Sequence, residues 1–113
     1  MSRIAGFVKL NTFIEQGVTD IAASGGQTEI WNANPQGNYV FARVKKNSGQ
    51  AGGAEPIAYL SYDSEETAPD DTNSIPIYDG DELQIFPEEI RGASIASADG
   101  NQPTLHYVLW QIQ

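Results

Sequence analysis

The side chains with most chemical potential lie in IPIYDGDELQIF, Ile75 to Phe86, where Asp79, Asp81 and Glu82 gather around Gly80. Hard divalent cations take about six to eight oxygen ligands, and these carboxylates, or the group Asp63, Glu65 and Glu66, offer some of them. Their spacing lacks the alternating ligands, glycine and distal glutamate of a calcium loop. Asp and Gly are also what a tight turn selects for conformational reasons. A solvated turn is therefore the expected state of this cluster, with bound Ca²⁺ or Mg²⁺ as the alternative. His106 is the only histidine and cysteine is absent, so neither a multi-histidine zinc site nor a thiolate site can be built from this sequence. Ser61, Ser94 and Ser97 are conceivable nucleophiles, but none sits in a G-x-S-x-G turn and one remote histidine gives no triad signal. Adjacent carboxylates such as Glu88 and Glu89 point apart instead of flanking a sugar. The pairs Gly25-Gly26 and Gly52-Gly53 lack the lysine and the strand–loop–helix setting of a phosphate cradle. No enzyme activity and no cofactor are expected, and His106 is read as a hydrogen-bonded structural residue.

The elements that hold these side chains are strands, because the dominant hydrophobic period is two. In NYVFARVKK, Val40, Ala42 and Val44 form an apolar face, while Tyr39, Phe41, Arg43 and Lys45 begin aromatic and end charged. IAYLSYD (Ile57 to Asp63) is a second strand. TLHYVLWQI (Thr104 to Ile112) is apolar on both faces, as a central strand covered on each side would be. TEIWNA, SIPIY, ELQIF and RGASIASA supply shorter ones. Pro76 removes a ladder donor and so marks SIPIY as an edge strand or a strand beginning. Asn34-Pro35-Gln36-Gly37-Asn38 reverses the chain before NYVFARVKK. Asp79-Gly80-Asp81 predicts a hairpin between SIPIY and ELQIF, and Asp99-Gly100-Asn101 joins RGASIASA to the last strand. About seven to eight strands separated by polar turns predict an all-β fold, an antiparallel β-sandwich or jelly-roll-like domain. Its expected span is 27–113, preceded over 1–26 by a strand or arm. At 113 residues, one domain with one core is the expectation.

Charge narrows the partners. The chain carries −9 at neutral pH from 15 acids and 6 bases, which disfavours nucleic-acid backbones and anionic membranes. No apolar run is long enough for a signal peptide or a membrane span. The charge is also uneven. From Asp63 to Glu89 there are ten acids and no base, whereas Arg43, Lys45 and Lys46 sit together. Solvation of an acidic end is the simplest reading. Head-to-tail contact between copies, or contact with a basic partner, is the alternative.

The second half of the chain resembles small structural proteins of tailed-bacteriophage virions. In those, an apolar strand and a Gly-Asp step precede a segment of the type I-x-x-I/A-x-A-x-x-G and then a terminal strand. Here the elements are Ile75 to Phe86, Ile90 to Gly100 and Thr104 to Ile112, so the resemblance covers residues 75–113. It implies a β-sandwich or jelly-roll-like fold on the capsid surface or at the head–tail junction, often with three-fold assembly. The expected function is that of a capsid decoration or stabilising protein, assembled in the host cytoplasm and bound across subunits of a major capsid protein. A homotrimer would bury aromatics that a lone sandwich exposes, and an N-terminal arm could add a strand to a neighbour. Expected partner contacts are Phe7, Trp31, Arg43, Lys45, Lys46 and Tyr59. The alternative is a carbohydrate- or receptor-binding module of a fibre or spike, with Trp31, Tyr39, Phe41, Tyr59 and Trp110 as its platform.

Overall fold

A computed structural model of the chain describes residues 11–29, 37–47, 55–62, 68–85 and 92–112. Phe7 and Trp31 lie outside the described residues, as do Asp63, Glu65, Glu66, Glu88 and Glu89. The described elements are all strands: β1 Asn11–Asp20, β2 Thr28–Glu29, β3 Tyr39–Lys45, β4 Ala58–Ser61, β5 Ile75–Ile77, β6 Glu82–Ile85, β7 Ser94–Ser97 and β8 Thr104–Ile112.

Pairing is nested. β1 pairs with β8, β2 with β7, β3 with β6 and β4 with β5, all antiparallel. Two further pairings, β3 with β8 and β4 with β7, complete one sheet of order β1-β8-β3-β6 and another of order β2-β7-β4-β5. A chain folded back on itself in this way and laid into two layers is a jelly roll. The expected all-β sandwich is thus the fold observed.

Period-two patterning places the core. Along β3, Val40, Ala42 and Val44 are fully buried while Arg43 and Lys45 are exposed. Their inward neighbours are Leu83 and Ile85 of β6 and Leu105 and Leu109 of β8. Ala58, Leu60, Ile77 and Ile95 face them from the other sheet. Each fully buried Val, Ile or Leu contributes about 1.5–3 kcal/mol relative to exposure. Pro76 sits on β5 at the outer edge of its sheet, where its missing N–H costs no ladder bond.

One turn differs from expectation, while Asp99-Gly100-Asn101 joins β7 to the last strand as expected. β5 and β6 belong to different sheets, so Asp79-Gly80-Asp81 is not the tip of a hairpin but a corner between layers. Asp99-Gly100-Asn101 likewise carries the chain from β7 in one sheet to β8 in the other. The physical reason is that the turn is tethered to β3. The Gly80 N–H donates to Val44 O at 2.8 Å and the Val44 N–H to Asp81 O at 3.0 Å, which delivers β6 beside β3. Gly80 takes φ +87°, the left-handed region that glycine enters without penalty.

Candidate interaction surface

The conceivable nucleophiles and the histidine do not meet. Ser61, Ser94 and Ser97 are buried on β4 and β7, in the sheet that does not contain His106. The Ser97 hydroxyl donates to Ile21 O at 3.2 Å. The Ser94 hydroxyl is enclosed with no hydrogen-bond partner among the described residues. His106 is exposed on β8, with Nε2 3.1 Å from Thr104 Oγ1.

The acids around Gly80 are occupied by the backbone. Asp79 Oδ1 accepts the Lys46 N–H at 2.9 Å, and Asp81 Oδ2 accepts the Tyr78 N–H at 2.9 Å. These bonds hold the corner closed together with the Asp81 N–H to Tyr78 O bond of 3.0 Å. Among the described residues no three His, Asp or Glu side chains converge to hold a metal ion.

What the fold does assemble is a surface. On the outer face of the β1-β8-β3-β6 sheet, cross-strand partners fall into rows. Phe13, Trp110 and Tyr39 form one row; Gln16, Val108, Phe41 and Gln84 form the next. Val18, His106, Arg43 and Glu82 follow, and then Asp20, Thr104 and Lys45. A register shift between Phe13 and Glu15 makes this possible. One extra residue in a strand reverses which face later side chains take. Phe13 and Val18, of opposite parity, therefore both point outward, while Ile14 packs against the core.

This face is only half covered. Phe13 is 51% and Val18 61% exposed, and Phe41, Val108 and Trp110 are half-buried beside them. Phe13 and Trp110 meet edge-to-face, with centroids 5.9 Å apart and an interplanar angle of 82°, an arrangement aromatic quadrupoles favour. At the basic end lies a cleft of about 610 Å³ whose lining includes Phe41, Val108, Arg43, Lys45 and His106. Arg43 pairs with Glu82 across the ladder at 3.1 Å, both half exposed; such a pair is worth at most about 1 kcal/mol.

Among the expected contact residues, Arg43 and Lys45 line this cleft and Lys46 follows at the end of β3. Tyr59 stands apart on β4, outward from the other sheet opposite Ala96 and Pro76. There it borders a second cleft of about 320 Å³, shared with Glu55, Asp70, Asp71 and Asp99. Partial burial, and then the charges of Asp71 and Glu55 among others, push the Tyr59 phenol above its ordinary range. Asp70 is held below its own by hydrogen bonds from the Thr72 hydroxyl and N–H and from the Asn73 N–H. Sequence reasoning missed Phe13, Val18 and Val108 as surface residues. Alternation alone reads them as core, because the bulge and the layer assignment are not local signals.

No family model matches the chain, and no curated protein matches it. Among solved structures, a subunit of the Bacillus endospore appendages, described as a novel family of disulfide-linked pili, shares the fold at a TM-score of 0.50 and 12% identity. The alignment covers 90% of this chain and 89% of that one. At that identity the likeness is one of architecture. The appendage protein belongs to a different system from the tailed-phage virion proteins expected from the sequence.

Proposed function

We propose that the protein is a non-enzymatic structural subunit that acts by adhesion between protein surfaces, and specifically a virion decoration protein that binds across subunits of a major capsid protein. The observation that carries this reading is the exposed apolar face built by Phe13, Val18, Phe41, Val108 and Trp110. Apolar patches rimmed by polar residues mark interaction sites more often than bare solvent-facing surface. Jelly rolls serve widely in viral shells, and the resemblance of residues 75–113 points the same way. Bound copies would stabilise a shell by mass action, since ligand that binds only the assembled state adds to its free energy. The appendage neighbour adds that this architecture also builds polymers in its own system. Those pili are disulfide-linked, whereas this sequence has no cysteine, so any assembly of these residues is held without disulfides.

Co-sedimentation with shells of a tailed-phage major capsid protein, the proposed partner, tests the proposal. Binding with a raised shell melting temperature is the expected result. Phe13→Ala combined with Val18→Asp should weaken it about 30-fold, the effect of losing one interface hot spot of about 2 kcal/mol. Both positions are exposed, so the fold should survive. Absence of binding by the folded wild-type protein would overturn the capsid assignment. The row of Phe13, Trp110 and Tyr39 also favours a second reading, a sugar platform. Glycan-array binding that Trp110→Ala abolishes would select it.

A further inference from the structure

The two clefts differ in charge and face away from each other across the sandwich. The cleft on the outer face of the β1-β8-β3-β6 sheet is lined by Arg43, Lys45 and His106 with no carboxylate among its described lining residues, and Glu82 stands beside it, paired with Arg43 at 3.1 Å. The cleft beside Tyr59 on the other sheet contains Glu55, Asp70, Asp71 and Asp99, and no base among its described lining residues. Each also has an apolar component: Phe41, Val18 and Val108 in the first, Tyr59, Pro56 and Pro69 in the second. On a molecule of net charge −9, a surface with this basic and aromatic character stands out, and the surface that complements it lies on the same chain.

We infer that the outer face of the first sheet docks the acidic cleft around Tyr59 of a second copy of this chain, in a head-to-tail contact. The inference rests on the reading of that face as a protein-contact surface and divides it: the second copy takes the basic end around Arg43 and Lys45, and the row of Phe13 and Trp110 is left for the shell. Opposite charge sets the orientation of the contact and disfavours like-with-like pairing. The apolar parts supply burial, with Phe41 and Val108 against Tyr59 and Pro56 of the next copy. Because the two patches differ, the interface is heterologous. Every bound copy then leaves one patch of each kind unfilled, and growth continues until a ring closes or a filament forms. A three-fold ring is one such closure. The free Tyr59 environment agrees with an electronegative socket, since nearby acids help to raise its phenol pKa.

Sedimentation velocity on the full chain tests this at about 0.15 M salt, where charges more than about 8 Å apart are screened, and again at about 1 M. Concentration-dependent association is expected in the first condition and its loss in the second. Arg43→Gln with Lys45→Gln removes the basic patch. Glu55→Gln with Asp71→Asn and Asp99→Asn neutralises three of the four acids of the other cleft, leaving Asp70, whose carboxylate accepts from Thr72 and Asn73. Each variant alone should remain monomeric, even though the second is less negative overall and would associate more readily if net repulsion governed. An equal mixture of the two should form one-to-one dimers and nothing larger, because only one complementary pair of patches survives. All substituted residues are exposed, and circular dichroism of each variant verifies folding. A wild-type protein that stays monomeric at high concentration, a variant that associates like the wild type, or a mixture that stays monomeric would each overturn the self-contact. The adhesion reading fails separately: it falls if Phe13→Ala with Val18→Asp leaves shell binding unchanged, whatever the state of self-association.

Discussion

At Gly37 the chain passes so close to the core that an added Cβ would lie 2.2 Å from Leu109 Cγ. Leu109 is 1% exposed and has nowhere to retreat. The backbone is fixed as well, because the Asn38 N–H donates to Trp110 O at 2.8 Å. Gly37→Ala should therefore destabilise the fold by about 1–3 kcal/mol through overpacking. Urea unfolding would show this as a lowered midpoint with an unchanged slope. The sequence places this glycine in an expected Asn-Pro-Gln-Gly-Asn turn whose first three residues lie outside the described ones, and the reason for the glycine was not legible. Close approach to a residue seventy-two positions away leaves no local trace. The serines show the same limit. Nothing in their flanking sequence separates Ser97, which bonds Ile21 O, from Ser94, whose hydroxyl is enclosed without a described partner. Only the layer that encloses them makes the difference.

The corner between β5 and β6 shows how an element is placed by contacts that its own sequence does not name. Asp79 and Asp81 accept backbone N–H groups of Lys46 and Tyr78, so their carboxylates work as caps. Replacing either with Ala should cost about 1 kcal/mol, the net worth of one such hydrogen bond, measured by chemical denaturation. Added calcium should leave the wild-type melting temperature unmoved beyond the effect of matched ionic strength. A specific rise that either substitution removes would return the acids to ligand duty. Strand positions were largely legible here, because Val40, Ala42 and Val44 alternate cleanly and Pro76 flags an edge. Which layer each strand joins was not. A short apolar strand, a Gly turn and another short strand read alike whether the chain turns back or crosses over. The tether from Lys46 to Asp79 that decides it spans thirty-three residues. For the same reason β8 read as covered on both faces, whereas its outer residues Val108 and Trp110 are only half covered.

Nested pairing gives the whole molecule a kinetic character. The first described strand pairs with the last, so the β1–β8 ladder forms only after the longest loop of the chain has closed. Topologies dominated by such distant pairings fold in about milliseconds to seconds. Refolding followed by tryptophan fluorescence should fall in that range, with the Trp110 signal changing as Phe13 seats against it. A microsecond phase carrying the whole amplitude would contradict this order of events. The same ladder has a use. Asn11 and Ile112 are direct neighbours in register, so additions before one and after the other depart from a single pole of the sandwich. A chain cut to Asn11–Ile112 would carry its two cut ends side by side, so a few linking residues would join them and free a distant loop to become the new start.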